Sequence, residues 1–308
     1  MSQGPVIQFE GVYRWYSGVI GLKNFTVEIP SGLVGLLGPN GAGKTTFLRL
    51  VTGTIRPSRG RVRVLGEPTF NNHRLMRRIG YAPEADAFYE FLTGREFVTK
   101  LVQMHGFGGK RAADLAEAAL AKVDLLEFCD RKVFTYSRGM RQRLKIAQAI
   151  AHEPEIYFMD EPLNGLDPLQ RKRVKDLFRQ LGKEGKTVVI SSHVLHEVEA
   201  VTKNFLLVHK GRLVAQGDVH EIRNLIDKHP HSIVLSTDDP RRLAGALYGL
   251  EEVRALEFGP GSLKILTHAP EAFYKRLPRI LLDAGVAVRE FHSPDDNLEA
   301  VFRYLVES

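Results

Sequence analysis

The sequence has very little cysteine and no long apolar run. Cys129 is the single cysteine among 308 residues, which excludes an internal disulfide and a metal cage built from cysteines. No stretch approaches the roughly 18 apolar residues that a membrane-spanning helix needs. The first ten residues hold neither a basic cluster nor an apolar run, so we expect no secretory signal. These absences favour a reducing, cytosolic environment, in which Cys129 is an ordinary small apolar side chain.

The composition is that of a globular protein, with 44% hydrophobic and 26% charged residues. It excludes disordered, collagen-like and coiled-coil classes, and the length suggests about two domains. The net charge of +7 is uneven, because residues 1–220 carry +10 and residues 221–308 carry −3. This shift indicates a boundary near residue 220. A basic excess favours nucleotides, nucleic acids or an anionic membrane as partners, or is simply a soluble basic surface.

Strand-like and helix-like segments alternate along most of the chain, a pattern typical of a parallel sheet with crossover helices. The apolar run at residues 33–37 ends in Gly-Pro-Asn-Gly, which predicts a buried strand entering a tight loop. Residues 45–51 predict the helix that follows. Residues 92–152 predict a mainly helical segment, whose last helix begins at the N-cap Ser137. Further strands are predicted at residues 6–13, 23–29, 61–65, 78–81, 156–159, 187–191 and 204–209.

Residues 232–308 have a different order of elements. Their pattern predicts strand, helix, strand, strand, helix, strand and helix, with a hairpin between residues 253–258 and 263–267. This is the order of a split βαβ, ferredoxin-like unit. We therefore expect an α/β protein with one domain at residues 1–220 and a smaller α/β domain at residues 221–308.

Residues 38–45 read Gly-Pro-Asn-Gly-Ala-Gly-Lys-Thr and match the phosphate-loop pattern G-x-x-x-x-G-K-[ST]. Glycines let backbone N–H groups turn around phosphate oxygens, and the next helix presents its positive N-terminus to the anion. Lys44 would reach the β- and γ-phosphates, and the Thr45 hydroxyl would bind Mg²⁺. The alternative, a glycine-rich turn with a solvated lysine, is disfavoured by the strand before the loop and the helix after it.

A second motif lies at residues 156–161, where an apolar strand ends in Asp160 and Glu161. Successive side chains of a strand point to opposite faces, so the two carboxylates can do different work. One can hold Mg²⁺ through its waters, and the other can polarise a water for attack on the γ-phosphorus. Many strands end in a solvated acid, but behind a phosphate loop this pair indicates nucleotide hydrolysis.

Together these motifs resemble the nucleotide-binding subunit of an ATP-binding-cassette (ABC) transporter. Residues 136–140, Tyr-Ser-Arg-Gly-Met, precede Asp160 and are similar to the family's LSGGQ signature, of which Ser137 and Gly139 are kept. The resemblance continues through Gly165-Leu166-Asp167, the D-loop, and Ser192-His193, the switch histidine. It covers roughly residues 6–220. It implies a P-loop NTPase cassette with a RecA-like core, an antiparallel β subdomain and a helical subdomain at about residues 92–152.

The resemblance also implies roles for the matching residues. Family members bind ATP and Mg²⁺ at a dimer interface, where each nucleotide lies between one subunit's phosphate loop and the other's signature segment. Glu161 would be the general base and His193 a γ-phosphate contact. Tyr16 would stack on adenine, with Tyr13 and Trp15 as neighbouring alternatives. The remaining nucleotide contacts would be Asn40, Gly41, Gly43, Lys44, Thr45, Thr46, Ser137, Gly139 and Asp167, and the Mg²⁺ ligands Thr45, Asp160 and Glu84.

Glu84 departs from the family pattern, which usually has glutamine at the last position of residues 79–84. A carboxylate keeps an oxygen ligand for Mg²⁺ and adds a negative charge. We expect Mg²⁺ coordination to survive this change, directly or through water. The contribution of this position to catalysis stays open.

The function implied is an ATPase that powers a membrane transporter. With one phosphate loop and no membrane span, the cassette would pair with a second cassette, as a homodimer, and dock on separate transmembrane permease subunits. It would then be a cytoplasmic protein held peripherally at the inner face of the membrane. The tail and its closing segment, Asn297 to Phe302, resemble the export-type branch, so we expect an exporter. No specific nucleic acid partner is expected.

Two alternatives stay open from the sequence. The charge of +10 on residues 1–220 permits a soluble ABC ATPase that acts on ribosomes or nucleic acid. However, the chain has neither a second cassette nor the long coiled coils of those branches. The nonstandard signature and Glu84 permit a nucleotide-gated scaffold with little hydrolysis. Against that reading, the phosphate loop, the acidic pair and His193 are all present.

Overall fold

The structure is a computed structural model that describes residues 4–218, 221–222, 231–294 and 302. The chain divides into two compact units, Met1–Gly217 and Asp218–Ser308. The elements of the first unit are β1 (Ile7–Tyr16), β2 (Val19–Ile29), β3 (Leu33–Leu37), α1 (Lys44–Val51), β4 (Arg59–Val64), β5 (Glu67–Pro68), α2 (His73–Met76), β6 (Ile79–Ala82), α3 (Gly94–Met104), α4 (Gly109–Lys122), α5 (Arg138–Ile150), β7 (Ile156–Asp160), α6 (Pro168–Lys183), β8 (Thr187–Ser192), α7 (Leu195–Glu199), β9 (Phe205–His209) and β10 (Arg212–Gly217).

A six-stranded sheet lies at the centre of the first unit, in the order β10-β9-β3-β8-β7-β6. Strands β9, β3, β8, β7 and β6 are parallel, as the sequence pattern predicts, and β10 is antiparallel to β9. The inner strands β7 and β8 are buried along their full length, which explains their continuous apolar sequence. The loops that follow β3, β6, β7 and β8 all leave from the carboxyl edge of this sheet, where α/β folds bind ligands.

A second, antiparallel sheet has the order β2-β1-β4-β5. Its apolar face packs with α1 in one core, where the Phe9 ring stacks on the Phe47 ring with centroids 4.6 Å apart. The predicted strands at residues 6–13 and 23–29 are confirmed but are longer, because β1 and β2 continue to a tight turn at Ser17 and Gly18. Strand β2 of this sheet lies against the loop between β3 and α1, since a Cβ on Gly43 would lie 2.7 Å from the Gly21 carbonyl oxygen.

Helices α3, α4 and α5 form the helical part of the first unit, and Ser137 is the N-cap of α5, since its hydroxyl accepts a hydrogen bond from the Met140 N–H at 3.3 Å. The helix also buries three polar side chains, each of which donates to a backbone carbonyl. Gln142 donates to Glu161 O, Arg143 to Val123 O, and Lys145 to Glu84 O. Its polar positions therefore tie α5 to three loops.

The second unit contains β11 (His231–Thr237), α8 (Pro240–Leu247), β12 (Val253–Gly259), β13 (Ser262–Thr267), α9 (Pro270–Ala284) and β14 (Val288–His292). The sheet is antiparallel in the order β12-β13-β11-β14, which confirms the ferredoxin-like prediction. The predicted closing helix and the segment Asn297 to Phe302 lie outside the described residues, apart from Phe302 itself. In the described parts of the chain, no helix is both long and apolar enough to cross a bilayer.

Candidate nucleotide site

A cavity of about 390 Å³ opens at the carboxyl edge of the central sheet. It gathers residues that are distant in sequence: the hairpin between β1 and β2, the loop after β3, Glu84 after β6 and the acidic pair at the end of β7. The sequence-predicted residues that line it are Tyr16, Asn40, Gly41, Gly43, Lys44, Thr45, Thr46, Glu84, Asp160 and Glu161. The cavity also has an apolar wall at Val19 and Ile20.

The phosphate loop curls tightly between β3 and α1. Gly41 and Gly43 have φ angles of 78° and 112°, in the left-handed region that favours glycine. A Cβ on Gly43 would lie 2.7 Å from the Gly21 carbonyl oxygen, so no other residue fits there without movement. The buried Lys44 side chain turns back and donates from Nζ to Gly38 O at 2.7 Å. The loop thus holds a cation and a helix N-terminus beside the cavity.

Asp160 is 1% exposed and has one satisfied and one unsatisfied carboxylate oxygen. The Ser191 hydroxyl donates to Oδ1 at 2.6 Å, whereas Oδ2 has no hydrogen-bond partner among the described residues. Burial raises the pKa of Asp160, the Glu84 and Glu161 charges add to the rise, and the Ser191 and Thr45 hydroxyls oppose it. A buried oxygen without a partner on a cavity wall fits a metal ligand.

The donor set fits Mg²⁺ in particular. Carboxylate and hydroxyl oxygens of Asp160, Glu84 and Thr45 line one cavity, and hard cations prefer oxygen ligands. Among the residues that the structure describes, no group of three or more His, Cys, Asp or Glu side chains forms a metal site by itself. Mg²⁺ commonly uses one or two carboxylates and takes its other ligands from substrate phosphates and water, so the site suits that ion in the company of a nucleotide.

Glu161 is 5% exposed, and three nitrogen groups contact its carboxylate, one of them the Asn164 amide, which donates to Oε2 at 3.4 Å. Oε1 is 3.4 Å from Lys44 Nζ, and Oε2 is 3.0 Å from His193 Nδ1. The backbone of Glu161 has a φ of 48°, an uncommon value for a residue with a side chain. His193 does not line the cavity itself and reaches it through Glu161. The arrangement fixes a buried proton acceptor at the cavity wall.

Of the three neighbouring aromatic residues at the end of β1, the cavity lining includes Tyr16 alone. The Arg14 guanidinium lies over the Tyr16 ring, 4.7 Å from its centroid. Tyr13 and Trp15 stack on each other instead, with centroids 5.3 Å apart. Their separate stack leaves Tyr16 as the aromatic side chain available to a base in the cavity.

Ser137, Gly139 and Asp167 lie outside the cavity lining and form a second, separate group. Ser137 and Asp167 are exposed N-caps of α5 and α6. The two helix starts are close together, since a Cβ on Gly139 would lie 3.3 Å from Gly165 O. The structure therefore does not bring these three residues to the chain's own cavity.

Sequence reasoning missed three residues that hold the site together. Ser191 contacts Asp160 because the parallel register pairs them across β7 and β8. Gln142 donates to Glu161 O at 3.2 Å, and Lys145 donates to Glu84 O at 2.5 Å. The position of Ser191 at the end of a predicted parallel strand was an available signal. The two α5 contacts depend on tertiary packing and have no local signal.

The chain is similar in sequence to members of a known protein family. Residues 22–164 match the family model described as ABC transporter. The daunorubicin/doxorubicin resistance ATP-binding protein DrrA of Streptomyces peucetius is 31% identical over 302 residues, which cover 96% of this chain and 91% of that protein. The bacitracin transport ATP-binding protein BcrA of Bacillus licheniformis is 30% identical over 305 residues, which cover 98% of this chain and 97% of that protein.

Solved structures agree with this assignment. An ATP-binding subunit of an ABC transporter has a TM-score of 0.65 at 27% identity, covering 71% of this chain and 92% of that one. The dimeric cassette MJ0796, bound to ADP and Pi after hydrolysis, shares the fold with a TM-score of 0.65 at 24% identity, covering 69% and 98%. This chain belongs to the ATP-binding subunits of ABC transporters, the ATPases that power transport across membranes.

Proposed function

We propose that two copies of this chain close around two ATP molecules and that hydrolysis reopens them, which drives the permease of an exporter. The observation that carries the proposal is the Glu161 carboxylate, buried between Lys44 and His193 at the wall of the cavity. Such a carboxylate is placed to accept a proton from a water beside the γ-phosphate.

The cavity lining suits the phosphates and the base of the nucleotide. Phosphate oxygens accept from the backbone N–H groups of residues 40–46 and pair with Lys44, while the base stacks on Tyr16 beside the apolar wall of Val19 and Ile20. Thr45 and Asp160 would hold Mg²⁺, with Glu84 as a further oxygen ligand. When bound, Mg²⁺ neutralises charge on the β- and γ-phosphates.

Hydrolysis then needs one water and one base. Glu161 takes a proton as the water oxygen attacks the γ-phosphorus, and the bond to the β-phosphate oxygen breaks to give ADP and phosphate. The contact between His193 Nδ1 and Glu161 Oε2 keeps the carboxylate oriented. Since His193 is 38% exposed at its side chain, it is also free to meet the γ-phosphate.

The separate group of Ser137, Gly139 and Asp167, in which Ser137 and Asp167 are exposed, supports a second cassette as a partner. These residues do not line the chain's own cavity, so we assign them to a nucleotide held by another copy. The N-cap hydroxyl and the helix N-terminus at Ser137 suit an anion. Because each copy supplies phosphate contacts to the other, ATP favours the closed pair, and loss of phosphate weakens it.

A docking surface for the permease is available on the helical part of the first unit. Tyr89, Phe91 and Met104 are exposed apolar side chains, and Tyr89 and Met104 line a groove of about 420 Å³ along α3. Exposed apolar groups that cluster in this way favour a protein partner. A permease segment seated there would hold the chain peripherally at the inner face of the membrane. The names of the two relatives, which refer to daunorubicin/doxorubicin resistance and to bacitracin transport, support export as the direction.

The experiment is to compare ATP hydrolysis with association state over a range of dilutions. Wild-type turnover should fall as the chain is diluted, and Glu161→Gln should bind ATP, accumulate as a dimer in light scattering and hydrolyse very slowly. Single chains that hydrolyse ATP at full speed at every dilution would overturn the proposal. A salt-dependent affinity for RNA or DNA would instead favour the nucleic-acid reading.

A further inference from the structure

We propose that Gln142, on α5, is the positioning residue that holds Glu161 in its working conformation. The inference rests on the proposed role of Glu161 as the base. Gln142 does not line the cavity, so it acts through Glu161 and does not touch the nucleotide.

The backbone of Glu161 needs such support. Its φ of 48° lies in the left-handed region, which residues with a Cβ adopt only when the surroundings impose it. On one side its N–H donates to Ser191 Oγ at 2.9 Å. On the other side its carbonyl accepts from Gln142 Nε2 and from the Asn164 N–H, each at 3.2 Å. Hydrogen bonds from three elements thus fix both backbone groups of Glu161.

Of the three residues that bond to the Glu161 backbone, Ser191 lies on β8 and Asn164 lies in the loop after β7. Gln142 alone of these three lies on a helix. Its side chain is 6% exposed and sits on the second turn of α5, the helix that begins at Ser137. A buried amide that loses its partner is costly, so the contact to Glu161 O is strongly specified. Breaking it would leave this carbonyl with the Asn164 N–H of its own turn, and the weaker anchoring would let the Glu161 carboxylate shift relative to Lys44 and His193.

The contact between Gln142 and Glu161 also connects the base with the start of α5. The loop from Glu161 to Asp167 meets α5 at two points, with Gln142 on Glu161 and Gly139 beside Gly165. A movement of the Ser137 end of α5 therefore reaches both the loop and the base. Since Ser137 faces a nucleotide held by the partner copy in the proposed function, Gln142 links that nucleotide to the base of its own chain.

The test is a double-mutant cycle between Gln142→Met and Glu161→Gln. Methionine has a similar volume and no donor. We expect Gln142→Met to lower kcat about tenfold with little change in KM or ATP affinity, because misplaced catalytic groups lose rate rather than binding. In the Glu161→Gln background the same change should alter the single-turnover rate less than about twofold, since the two substitutions act through one group. Gln142→Asn keeps the amide but shortens its reach and should lower kcat similarly.

The matched control is Arg143→Met, at the next position of the same helix. Arg143 is also buried and donates to backbone carbonyls, at Val123 and Asp124, but it does not contact Glu161. Its loss should lower the melting temperature while kcat per folded molecule stays at the wild-type value. Equal rate losses from Gln142→Met in both backgrounds, or unchanged kcat in Gln142→Met and Gln142→Asn, would overturn the inference. A wild-type rate in Glu161→Gln alone would overturn the base assignment instead.

Discussion

His193 Nδ1 lies 3.0 Å from Glu161 Oε2, on the side of the carboxylate opposite Lys44. The two residues come from neighbouring parallel strands, since Glu161 follows β7 and His193 follows β8. The contact leaves His193 partly exposed while Glu161 is buried, so one ring reaches from solvent to the base. Substitution of the histidine therefore separates the rate of hydrolysis from nucleotide binding.

We predict that His193→Ala keeps ATP affinity and lowers kcat about 100-fold, because the base loses its contact with the His193 ring while the residues that line the cavity are unchanged. Phosphate release and fluorescent-nucleotide binding measure the two quantities. His196→Ala is the matched control, since His196 is an exposed histidine on α7 and lies outside the cavity lining. Equal kcat values for the two variants would contradict the role given to His193.

Glu84→Gln restores the residue that the family usually has at this position. We predict that the variant keeps binding of Mg²⁺-ATP and at least part of its hydrolysis, because an amide oxygen still serves as a ligand. Removing the charge should also lower the pKa of Asp160, which the Glu84 carboxylate raises. Titration with nucleotide at several Mg²⁺ concentrations measures the effect, with Glu153→Gln, an exposed acid before the start of β7, as the control for charge. Complete loss of Mg²⁺-ATP binding would show that the carboxylate is essential.

Gly43→Ala should abolish tight ATP binding. The new methyl group would lie 2.7 Å from the Gly21 carbonyl oxygen, so the phosphate loop must move. Gly66→Ala is the control, because Gly66 also has a positive φ, of 78°, but has open space around it. Both variants should lose about 1 kcal/mol of stability from backbone strain, and only Gly43→Ala should lose nucleotide affinity. Calorimetric titration with ATP distinguishes them, and wild-type affinity in Gly43→Ala would refute the account of the loop.

His152 should make the fold less stable in mild acid. Its ring is buried, stacks on His105 with centroids 3.7 Å apart, and bonds through Nε2 to Ile79 O at 2.9 Å. Burial lowers the pKa of His152 from 6.5 to about 4, so between these values the unfolded chain binds the proton more strongly. Stability is therefore complete above pH 6.5 and falls as the pH decreases toward 4.

Protonation of His152 should lower the free energy of unfolding by about 2 kcal/mol between pH 7 and pH 5. Urea melts at the two pH values measure the loss, and His152→Gln should reduce the difference between them. The exposed His196→Ala should leave the difference unchanged. A pH dependence that survives in His152→Gln would assign the effect to other groups.

The sequence predicts those parts of the molecule whose chemistry is local. Residues 33–37 form a strand with the bounds expected, because an apolar run closed by glycine and proline admits few other structures. The N-cap at Ser137 is likewise a matter of a few neighbouring residues. By contrast, the two-residue β5 and the edge strand β10 lack a strong apolar pattern and are recognised only by their partners.

The residues of the site likewise divide into those with a local sequence signal and those without one. The residues that carry the chemistry lie in motifs, so the phosphate loop, Asp160 and Glu161 are predictable and meet in one cavity. The residues that position these side chains lie outside the motifs. Ser191 reaches Asp160 through strand register, and Gln142 reaches Glu161 from helix α5, 19 positions earlier in the chain. Such contacts arise when the sheet and the helices pack, so no single segment encodes them.

Ser137 and Gln142 are five positions apart on α5, which corresponds to about 7.5 Å along the helix. In the dimer proposed above, this segment of α5 connects the surface that faces the partner's nucleotide with the protomer's own base, Glu161. A protomer with a defect in this segment would then impair ATP hydrolysis in its wild-type partner as well as in itself. A variant with a substitution at the start of α5, co-expressed with the wild type, would therefore be dominant-negative. Transport activity would fall by more than the fraction of subunits that carry the substitution.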